Sequence, residues 1–493
     1  MRTSRPRIDI VQNPASQAAE GGTPAATASV PPADSPMTPR EKRAMAAIMI
    51  AVSLATLDTA IANTALPNIA ADLNSTPAAS VWIINAYQLA MVATLLPFAA
   101  LGGVLGHRRI YMGGVVVFIV SSVICAMAWS LPSLAAARLL QGIGAAAVMS
   151  VNTALISAIF PIHRLGRGVG LNALIVGVSF AVGPTVASVI LSFGSWPWLF
   201  AVNLPIGLLA LFMAWPSLPE TKRSQHGFDP VAAILNAITF AALIFALGEG
   251  VQREPTEYVV AAAAVFLIAF VLLLRRERGH PAPMLPVDLL KRPMFALSTA
   301  TAVCSFAAQG LAFVSLPFYF EHVLGRNPVE TGFLLTPWSA VVAVMAPIAG
   351  RLSDRYPPGL LGGIGLAIMA AGMASLAMMP TDASVLNIGI RMAICGAGFG
   401  FFQSPNLKAL MASAPRERAG GASGVVATAR LLGQATGAAL VALSFGLAGA
   451  HGPTLALGLG AGFAAAAAVA SWLRLVTPHS ADSAAMQGAG KSS

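Results

Sequence analysis

The chain has 493 residues, of which 56% are hydrophobic and only 10% are charged. A soluble globular protein carries about 25% charged residues, so this composition excludes an ordinary soluble domain and indicates a chain built for lipid. The net charge of +10 does not indicate nucleic-acid binding, because the basic residues are dispersed in short clusters between apolar stretches and form no single patch.

Apolar segments follow one another along most of the chain. Residues 1–43 are instead rich in Ala, Pro, Ser and Thr and predict a disordered cytoplasmic tail. The fourteen apolar segments lie near 44–66, 82–103, 110–130, 134–160, 167–191, 197–217, 230–248, 257–274, 294–320, 330–350, 359–379, 385–411, 421–448 and 453–473. Most have the roughly 20 residues that cross a bilayer as a helix. Continuous runs of this kind predict an all-α polytopic membrane protein and not a barrel.

The distribution of Lys and Arg predicts the topology. The basic stretch "PREKR", residues 39–43, precedes the first segment and should remain in the cytoplasm. The loops that would then face inward carry most of the basic loop residues, whereas the outer loops carry Arg253 and Arg326. We therefore expect both termini in the cytoplasm and the protein in the cell (inner) membrane.

An internal repeat divides the chain. Gly142 and Gly144 recur at a constant offset as Gly396 and Gly398. The same offset links Asn152 to Asn406, Pro161 to Pro415, Arg164 to Arg418, Gly170 to Gly424 and Gly183 to Gly437. This pattern predicts a six-helix bundle over 44–217, an inserted helix pair with flanking loops over 218–292, a second bundle over 293–475 and a cytoplasmic tail over 476–493. Parallel repeats of this kind place a substrate site between the halves.

Asp58 stands in "SLATLDTAIANTALPNIA", residues 53–70, which otherwise is typical of a membrane helix. An ionised carboxylate at the bilayer centre costs at least about 2.5 kcal/mol, so Asp58 should face the bundle interior or a water-filled cavity. A carboxylate in a poorly hydrated site also binds a proton more readily than one in water. We predict that Asp58 takes up and releases protons; a structural salt bridge is the alternative.

The fourth segment opens with "AARLLQGIGAAAVMSVNTAL", which carries Arg138, Gln141, Gly142 and Gly144. The segment enters from the outer side, so Arg138 lies in the same half of the membrane as Asp58 and could meet it. Such a pair can exchange a proton for an ion pair as access to the cavity changes. The glycines allow a neighbouring backbone to approach closely.

The fifth segment contains "GVSFAVGPTVAS", with Gly183 and Pro184. Proline removes a backbone donor and bends a helix, and glycine permits both the bend and a close neighbour. A functional hinge and a generic transmembrane kink are both compatible with this pattern.

These motifs, in this order, resemble the fourteen-helix drug:proton antiporter family of the major facilitator superfamily. "LDTAIANTALP" resembles that family's helix 1 signature, "RLLQGIG" its helix 4 signature and "GPTVAS" its antiporter motif; "SVWIINAYQLA", "WPWLFAVNLPIG" and "ARLLGQATGAAL" are also similar. The resemblance covers about residues 44–475. It implies the major facilitator fold, with two six-helix bundles, two extra central helices and alternating access. It also implies export driven by inward proton flow, with Asp58 and Arg138 in the proton-coupling roles.

The first gating loop departs from the family pattern. "ALGGVLGHRR" keeps Gly106, Arg108 and Arg109, but Gly103 and Val104 stand where the family has Asp and Arg. The resemblance therefore implies a weakened gate in the first half.

The second gating loop, "GRLSDR", keeps Gly350, Asp354 and Arg355. An acid in such a loop can cap the N-terminus of a facing helix and latch the inner gate. We expect Asp354 to form this latch with the fifth helix, which should begin near Gly166.

The scarcity of acids in the apolar segments bears on the cargo. A dicationic cargo would call for more than one embedded carboxylate, so a lipophilic, neutral or monocationic compound is predicted. Met and aromatic side chains suit an adaptable cavity. The candidate lining residues are Asn63, Tyr87, Met91, Phe180, Phe306 and Trp338. For Arg430 we favour pairing with backbone carbonyls or with Asn and Gln side chains over cargo contact.

The predicted function is proton-coupled export of such compounds, and export of one specific metabolite or self-made antibiotic is the alternative. An embedded enzyme is not predicted, because all seven histidines fall in loops or tails and no phosphate-binding loop is present. We expect no metal, no cofactor besides the proton gradient and no nucleic-acid partner. The expected partners are lipophilic cargo, protons and the lipid bilayer, and we expect the protein to be monomeric.

Overall fold

The computed structural model describes residues 37–160, 165–221, 228–249, 256–278, 287–414 and 419–476, and these fold into helices joined by short turns. The predicted tails lie almost entirely outside the described residues. The repeat pairs Pro161–Pro415 and Arg164–Arg418 also lie outside them.

The first half of the described chain contains eight helices. They are α1 (Pro39–Asp72), α2 (Pro77–Ser80), α3 (Trp82–Leu105), α4 (His107–Ala126), α5 (Leu131–Ile159), α6 (Leu165–Phe193), α7 (Pro197–Ala201) and α8 (Asn203–Ser217). In this half, α5 packs against α3 and α4, and α4 packs against α8.

The remaining described chain contains nine further α-helices. They are α9 (Pro230–Glu249), α10 (Thr256–Glu277), α11 (Val287–Leu290), α12 (Pro293–Phe318), α13 (Pro328–Leu352), α14 (Pro358–Ala377), α15 (Val385–Ser413), α16 (Ala419–Ala448) and α17 (Gly452–Leu473). Here α15 packs against α13 and α14, and α14 packs against α17. Within the described ranges, these contacts repeat those of α5 with α3 and α4 and of α4 with α8.

Repeated glycines make matching contacts in the two halves. A Cβ atom at Gly144 would lie 2.6 Å from the Phe118 backbone nitrogen on α4. A Cβ atom at Gly398 would lie 2.4 Å from the Met369 backbone nitrogen on α14. Real Cβ atoms do not approach so closely, so each position needs glycine for the same helix–helix contact.

Each predicted apolar segment coincides with a helix or a pair of helices, which confirms the all-helical fold class. Twelve stretches of the described chain are long and apolar enough to cross a membrane; the last, Gly421–Leu473, contains both α16 and α17. Pro230–Ala246 of α9 is a further apolar helix but a shorter one. The predicted count of fourteen spans is therefore not confirmed.

The predicted segment 197–217 forms a single stretch that is long and apolar enough to cross a membrane. Its helices α7 and α8 meet at Val202, whose backbone also has helical dihedral angles. Pro205 lies in the first turn of α8, where the absence of a backbone N–H leaves no hydrogen bond unmade. Asn203 is the first residue of α8.

α9 packs against α10, and it also contacts both α3 and α16. The Asn236 side chain donates a hydrogen bond to the Ala93 carbonyl at 3.0 Å, and the rings of Trp82 and Phe245 lie 6.2 Å apart. The helix therefore touches both halves of the described chain while α10 lies on its other side.

α6 and α13 form a contact between the halves, near the end at which α1 finishes. The hydroxyls of Thr185 and Thr336 are 2.8 Å apart. A Cβ atom at Gly332 would lie 2.4 Å from the Pro184 carbonyl oxygen. The Gly183–Pro184 motif thus lies directly at a junction of the two halves.

Candidate functional site: a buried ion pair beside a central cavity

Asp58 on α1 and Arg138 on α5 form a hydrogen-bonded ion pair, in which Arg138 Nη1 donates to Asp58 Oδ2. Their side chains are only 1% and 0% exposed, respectively. The contact that the sequence predicted between these helices is therefore present. Burial excludes water from the pair, so each charge depends on protein groups for its solvation.

Asp58 receives two further hydrogen bonds through its other oxygen. Gln141 Nε2 and Asn203 Nδ2 each donate to Oδ1 at 2.8 Å. Both amides also contact the Ser122 hydroxyl, at 2.8 and 3.3 Å. Helices α1, α4, α5 and α8 thus converge on one carboxylate, and three donors stabilise its ionised form.

The guanidinium of Arg138 is fixed by hydrogen bonds and by aromatic rings. Nη1 also donates to Gln141 Oε1 at 2.6 Å, and Nε donates to the Ile83 carbonyl at 3.3 Å. The guanidinium carbon lies 4.1 Å from the centre of the Tyr87 ring and 5.6 Å from that of Phe200. Nη2 is buried with no hydrogen-bond partner among the described residues. Aromatic faces stabilise a desolvated cation by about 2 kcal/mol or more.

The glycines of the predicted helix 4 motif position this pair. A Cβ atom at Gly142 would lie 2.3 Å from the Tyr87 carbonyl oxygen. Because this contact is to backbone, no side-chain rotation can relieve it. The glycine therefore lets α5 lie against α3 at the distance at which the guanidinium stacks on Tyr87.

Gly183 plays a similar part on α6. A Cβ atom there would lie 2.3 Å from the Ala60 Cβ atom, two residues beyond Asp58 on α1. The Ser188 hydroxyl donates to the Pro184 carbonyl at 3.0 Å within the same helix. The motif thus joins α1, which carries the carboxylate, to the α6–α13 junction between the halves.

Two small cavities lie where the halves meet, one of about 50 Å³ and one of about 30 Å³. Five of the predicted lining residues are on their walls: Tyr87, Met91, Phe180, Phe306 and Trp338. Asn63 is not among the wall residues of either cavity; it is buried, and its Oδ1 has no hydrogen-bond partner among the described residues. Tyr87 connects the two regions, because its ring stacks on Arg138 and also lines the smaller cavity.

Arg430 on α16 lines both cavities. The predicted pairing of Arg430 with carbonyls or amides was wrong: its Nε is buried with no hydrogen-bond acceptor among the described residues. The neighbouring amides bond to each other instead, since Gln434 Nε2 donates to Gln309 Oε1 at 3.3 Å.

The first gating loop is tied to its own half. Gly106 has a φ of 100° between α3 and α4, a conformation that favours glycine. Arg108 pairs with Glu220 at 2.8 Å and donates to the Trp215 carbonyl at 2.6 Å. Arg109 is exposed. These contacts fix the α3–α4 turn to the end of α8.

In the second gating loop, Asp354 pairs with Lys408 of α15 at 2.5 Å, and Lys408 also donates to the Ser353 carbonyl at 2.9 Å. This acid therefore has a cation of its own half as a partner. The predicted latch onto the start of α6 near Gly166 adjoins residues outside the described ranges and stays a prediction. Gly350 packs close to Ser404, whose Oγ would lie 2.9 Å from an added Cβ atom, and Arg355 is exposed.

Sequence reasoning missed Asn203 and Ser122 as partners of the carboxylate. Asn203 could have been found, because it is an amide inside the apolar segment "WPWLFAVNLPIG" and polar residues in such segments are costly unless paired. Ser122 gave no comparable signal, since serine satisfies itself through its own helix: its hydroxyl donates to the Phe118 carbonyl at 2.7 Å.

The model of the Major Facilitator Superfamily matches residues 48–438. The chain is 51% identical over 450 residues to the uncharacterized transporter YebQ of Escherichia coli, covering 91% of this chain and 98% of that protein. It is 30% identical to the riboflavin transporter RibZ of Clostridioides difficile, covering 81% and 87% of the two chains.

A third relative is the multidrug resistance protein Stp of Mycobacterium tuberculosis, which is 32% identical over 393 residues and is covered to 72% of its length by 78% of this chain. The family match extends from α1 into α16 and so includes both halves of the helical structure and the ion pair. The chain belongs to the major facilitator superfamily of multi-pass membrane transporters.

Proposed function

We propose that this transporter is a proton-coupled exporter of small lipophilic compounds that works by alternating access. The observation that carries the proposal is the buried pair of Asp58 and Arg138, which shares Tyr87 with the wall of the central cavity. A group that can exchange a proton therefore lies one side chain away from the place where a cargo would lie.

Protonation of Asp58 would neutralise the carboxylate and leave Arg138 buried without its counter-ion. Removing one partner of a buried ion pair costs about 3–5 kcal/mol. The three donors around the carboxylate would then favour a rearrangement of α1 against α5 and α8. Such a rearrangement can bias the two bundles toward one open state, and release of the proton on the other side would restore the pair.

Gly183 contacts α1 close to Asp58, and Pro184 lies at the α6–α13 junction. A shift of α1 would therefore be transmitted along α6 to the contact between the halves. This path supports a hinge role for the Gly183–Pro184 motif. The proton gradient is the proposed energy source and the bacterial inner membrane is the proposed location. We also propose that both termini lie in the cytoplasm.

The lipophilic character of the proposed cargo is supported by the aromatic cavity walls and by the similarity to a multidrug resistance protein. The sequence allowed neutral or monocationic cargo. Arg430 on the walls disfavours a cation, so we retain the neutral class here and take up the charge of the cargo below.

Export of one specific metabolite is the second candidate, and the similarity to a riboflavin transporter favours it. The two candidates differ in breadth. Competition assays with a panel of unrelated lipophilic compounds and with riboflavin would separate them, since a dedicated transporter is inhibited by one chemotype only.

The test uses full-length protein in proteoliposomes with an imposed pH gradient and a panel of lipophilic fluorescent compounds. We expect gradient-driven transport by the wild type and its loss in Asp58→Asn, with cargo binding retained. Asp229→Asn is the matched control, because that acid pairs with Arg276 outside both the gating loops and the cavity walls. Equal transport by Asp58→Asn and wild type would show that the pair is structural.

A further inference from the structure

Arg430 is the charged residue of the central cavities. Residues of α1, α6 and α16 line both cavities, and the larger cavity is also lined by residues of α12, α13 and α15 from the second half. Among the described residues that line them, Arg430 alone carries a charge. The cavity walls therefore have a net positive charge.

Within the described chain, Arg430 differs from the buried residues Arg138 and Arg474 because it has no hydrogen-bond partner. Arg138 has Asp58, a glutamine, a carbonyl and two aromatic rings. Arg474 donates to Ser298 at 3.0 Å and to Asn406 at 2.7 Å. Arg430 forms no hydrogen bond with any described residue, and its Nε is fully enclosed. A buried donor left without an acceptor costs about 1–3 kcal/mol, and more when it is charged.

A second unpartnered donor lies on the same wall. Trp338 lines the larger cavity, and its indole Nε1 is buried without an acceptor among the described residues. The Ser339 hydroxyl, on the next residue of the same wall, is also buried and unpartnered. An indole and a guanidinium nitrogen can only donate, so Trp338 and Arg430 each need an acceptor. One buried acceptor without a partner among the described residues, Gln88 Oε1, lies on the wall of the smaller cavity, which Trp338 does not line.

Asp58 does not supply the missing acceptor. Its two oxygens already accept hydrogen bonds from Arg138, Gln141 and Asn203. The Tyr87 hydroxyl, on the wall of the smaller cavity, donates to the Ala55 carbonyl at 3.2 Å. The donors of the cavity wall are thus left for a molecule that the cavity admits.

We infer that Arg430 is the cargo anchor and that the preferred cargo is an organic anion: a lipophilic aromatic body with one sulfonate, carboxylate or similar acidic group. This inference rests on the proposed function, because it requires that the cargo occupy the central cavity. The acidic group pairs with the guanidinium, and the indole N–H of Trp338 supplies a second donor. The rings of Phe180, Phe306 and Phe399 on the same wall receive the aromatic body.

The present volumes of about 50 and 30 Å³ are too small for such a cargo, since sites for small organic ligands occupy roughly 300–1,000 Å³. The cargo therefore enters when the halves separate around α6 and α13. The binding measurement must accordingly use protein that is free to change state, such as the full-length chain in lipid nanodiscs.

Three naphthalene probes of one scaffold isolate the effect of charge: naphthalene-1-sulfonate, naphthalene-1-sulfonamide and a naphthylmethyl trimethylammonium ion. Binding is measured at neutral pH without a gradient. We expect the sulfonate to bind most tightly and the ammonium ion least tightly. Arg430→Gln should weaken sulfonate binding about 10- to 100-fold, the range of a lost hydrogen bond to a charged group, and leave sulfonamide binding nearly unchanged.

Two further variants complete the design. Arg430→Lys keeps the charge and should retain part of the sulfonate preference. Arg391→Gln removes a positive charge outside the cavity walls, where the arginine donates to Asn387 at 2.6 Å, and should behave as wild type. Retained sulfonamide binding by Arg430→Gln shows that this variant is folded.

Preferential binding of the ammonium ion, or an equal loss of all three probes in Arg430→Gln, would overturn the inference. The same measurements test the proposed function independently of the anion inference. If the neutral sulfonamide is transported by the pH gradient and this transport is lost in Asp58→Asn, proton coupling stands even when the sulfonate is not preferred. If the sulfonate is preferred but no gradient drives transport, the anion site stands and proton coupling falls.

Discussion

Gly142→Ala tests whether close packing of α5 against α3 holds the ion pair in place. The added methyl group would lie 2.3 Å from the Tyr87 carbonyl oxygen and 2.9 Å from the Ala90 Cβ atom. The first distance is about 1 Å shorter than an ordinary van der Waals contact, so the two helices must move apart by roughly that amount. The guanidinium of Arg138, now 4.1 Å from the Tyr87 ring, would lose part of its stacking contact.

Overpacking of this kind costs about 1–3 kcal/mol. Gly113→Ala is the matched control, because Gly113 lies in the interior of α4 and an added Cβ atom would meet nothing within 4 Å. In a helix interior, alanine is more favourable than glycine by up to about 1 kcal/mol. The same substitution should therefore destabilise the protein at one site and leave it unchanged or stabilise it at the other.

The assay is the apparent melting temperature of the purified variants in detergent, followed by their loss of monodispersity. We expect Gly142→Ala to melt below the wild type and Gly113→Ala at or above it. Coupled transport in proteoliposomes should fall with Gly142→Ala alone. If Gly142→Ala is as stable and as active as Gly113→Ala, α5 does not depend on this close approach and the positioning argument is refuted.

Two further outcomes are expected. Asn203→Leu removes one donor to Asp58, a bond to a charged group worth about 1.5–3 kcal/mol, so the pH profile of transport should shift while cargo binding persists; an unchanged profile would exclude Asn203 from the coupling site. The Arg276 guanidinium hydrogen-bonds to Asp229 and holds the pKa of that carboxyl below its usual range. The wild type should therefore be more stable than Asp229→Asn near neutral pH and lose this small advantage as the pH falls through that lowered pKa, which melting curves down to about pH 3 would measure.

The helical architecture could be predicted because each helix corresponds to a continuous apolar stretch of the sequence. The position of Asn203 beside Asp58 was less predictable, because an amide in an apolar segment indicates the need for a partner but not which partner it meets. The ion pair itself was predictable, because two embedded opposite charges at similar depth have a strong energetic reason to meet.

The choice of partner was harder to predict than the need for one. Asp354 pairs with Lys408 on α15, a cation of its own half that the sequence did not single out. Arg430 was expected to pair with amides, but Gln309 and Gln434 bond to each other. The sequence indicates that such a charged side chain needs a partner, whereas the packing of the helices determines which partner lies within hydrogen-bond distance.

At corresponding repeat positions, the two halves carry different polar side chains. At the repeat offset, the four side chains of the buried site (Asp58, Arg138, Gln141 and Asn203) correspond to Ala312, Met392, Cys395 and Leu457. These four counterparts are all fully buried in one apolar cluster of the second half. Conversely, Arg430 of the second half corresponds to Val176, which lines the same cavity from the first half. One bundle thus holds the buried ion pair and the other holds the unpaired cation. Tyr87 lies between them, because its ring stacks on Arg138 and it lines the smaller cavity together with Arg430. Under the proposed function, protonation in one half and cargo binding in the other would be linked through this side chain and through the contact between the halves.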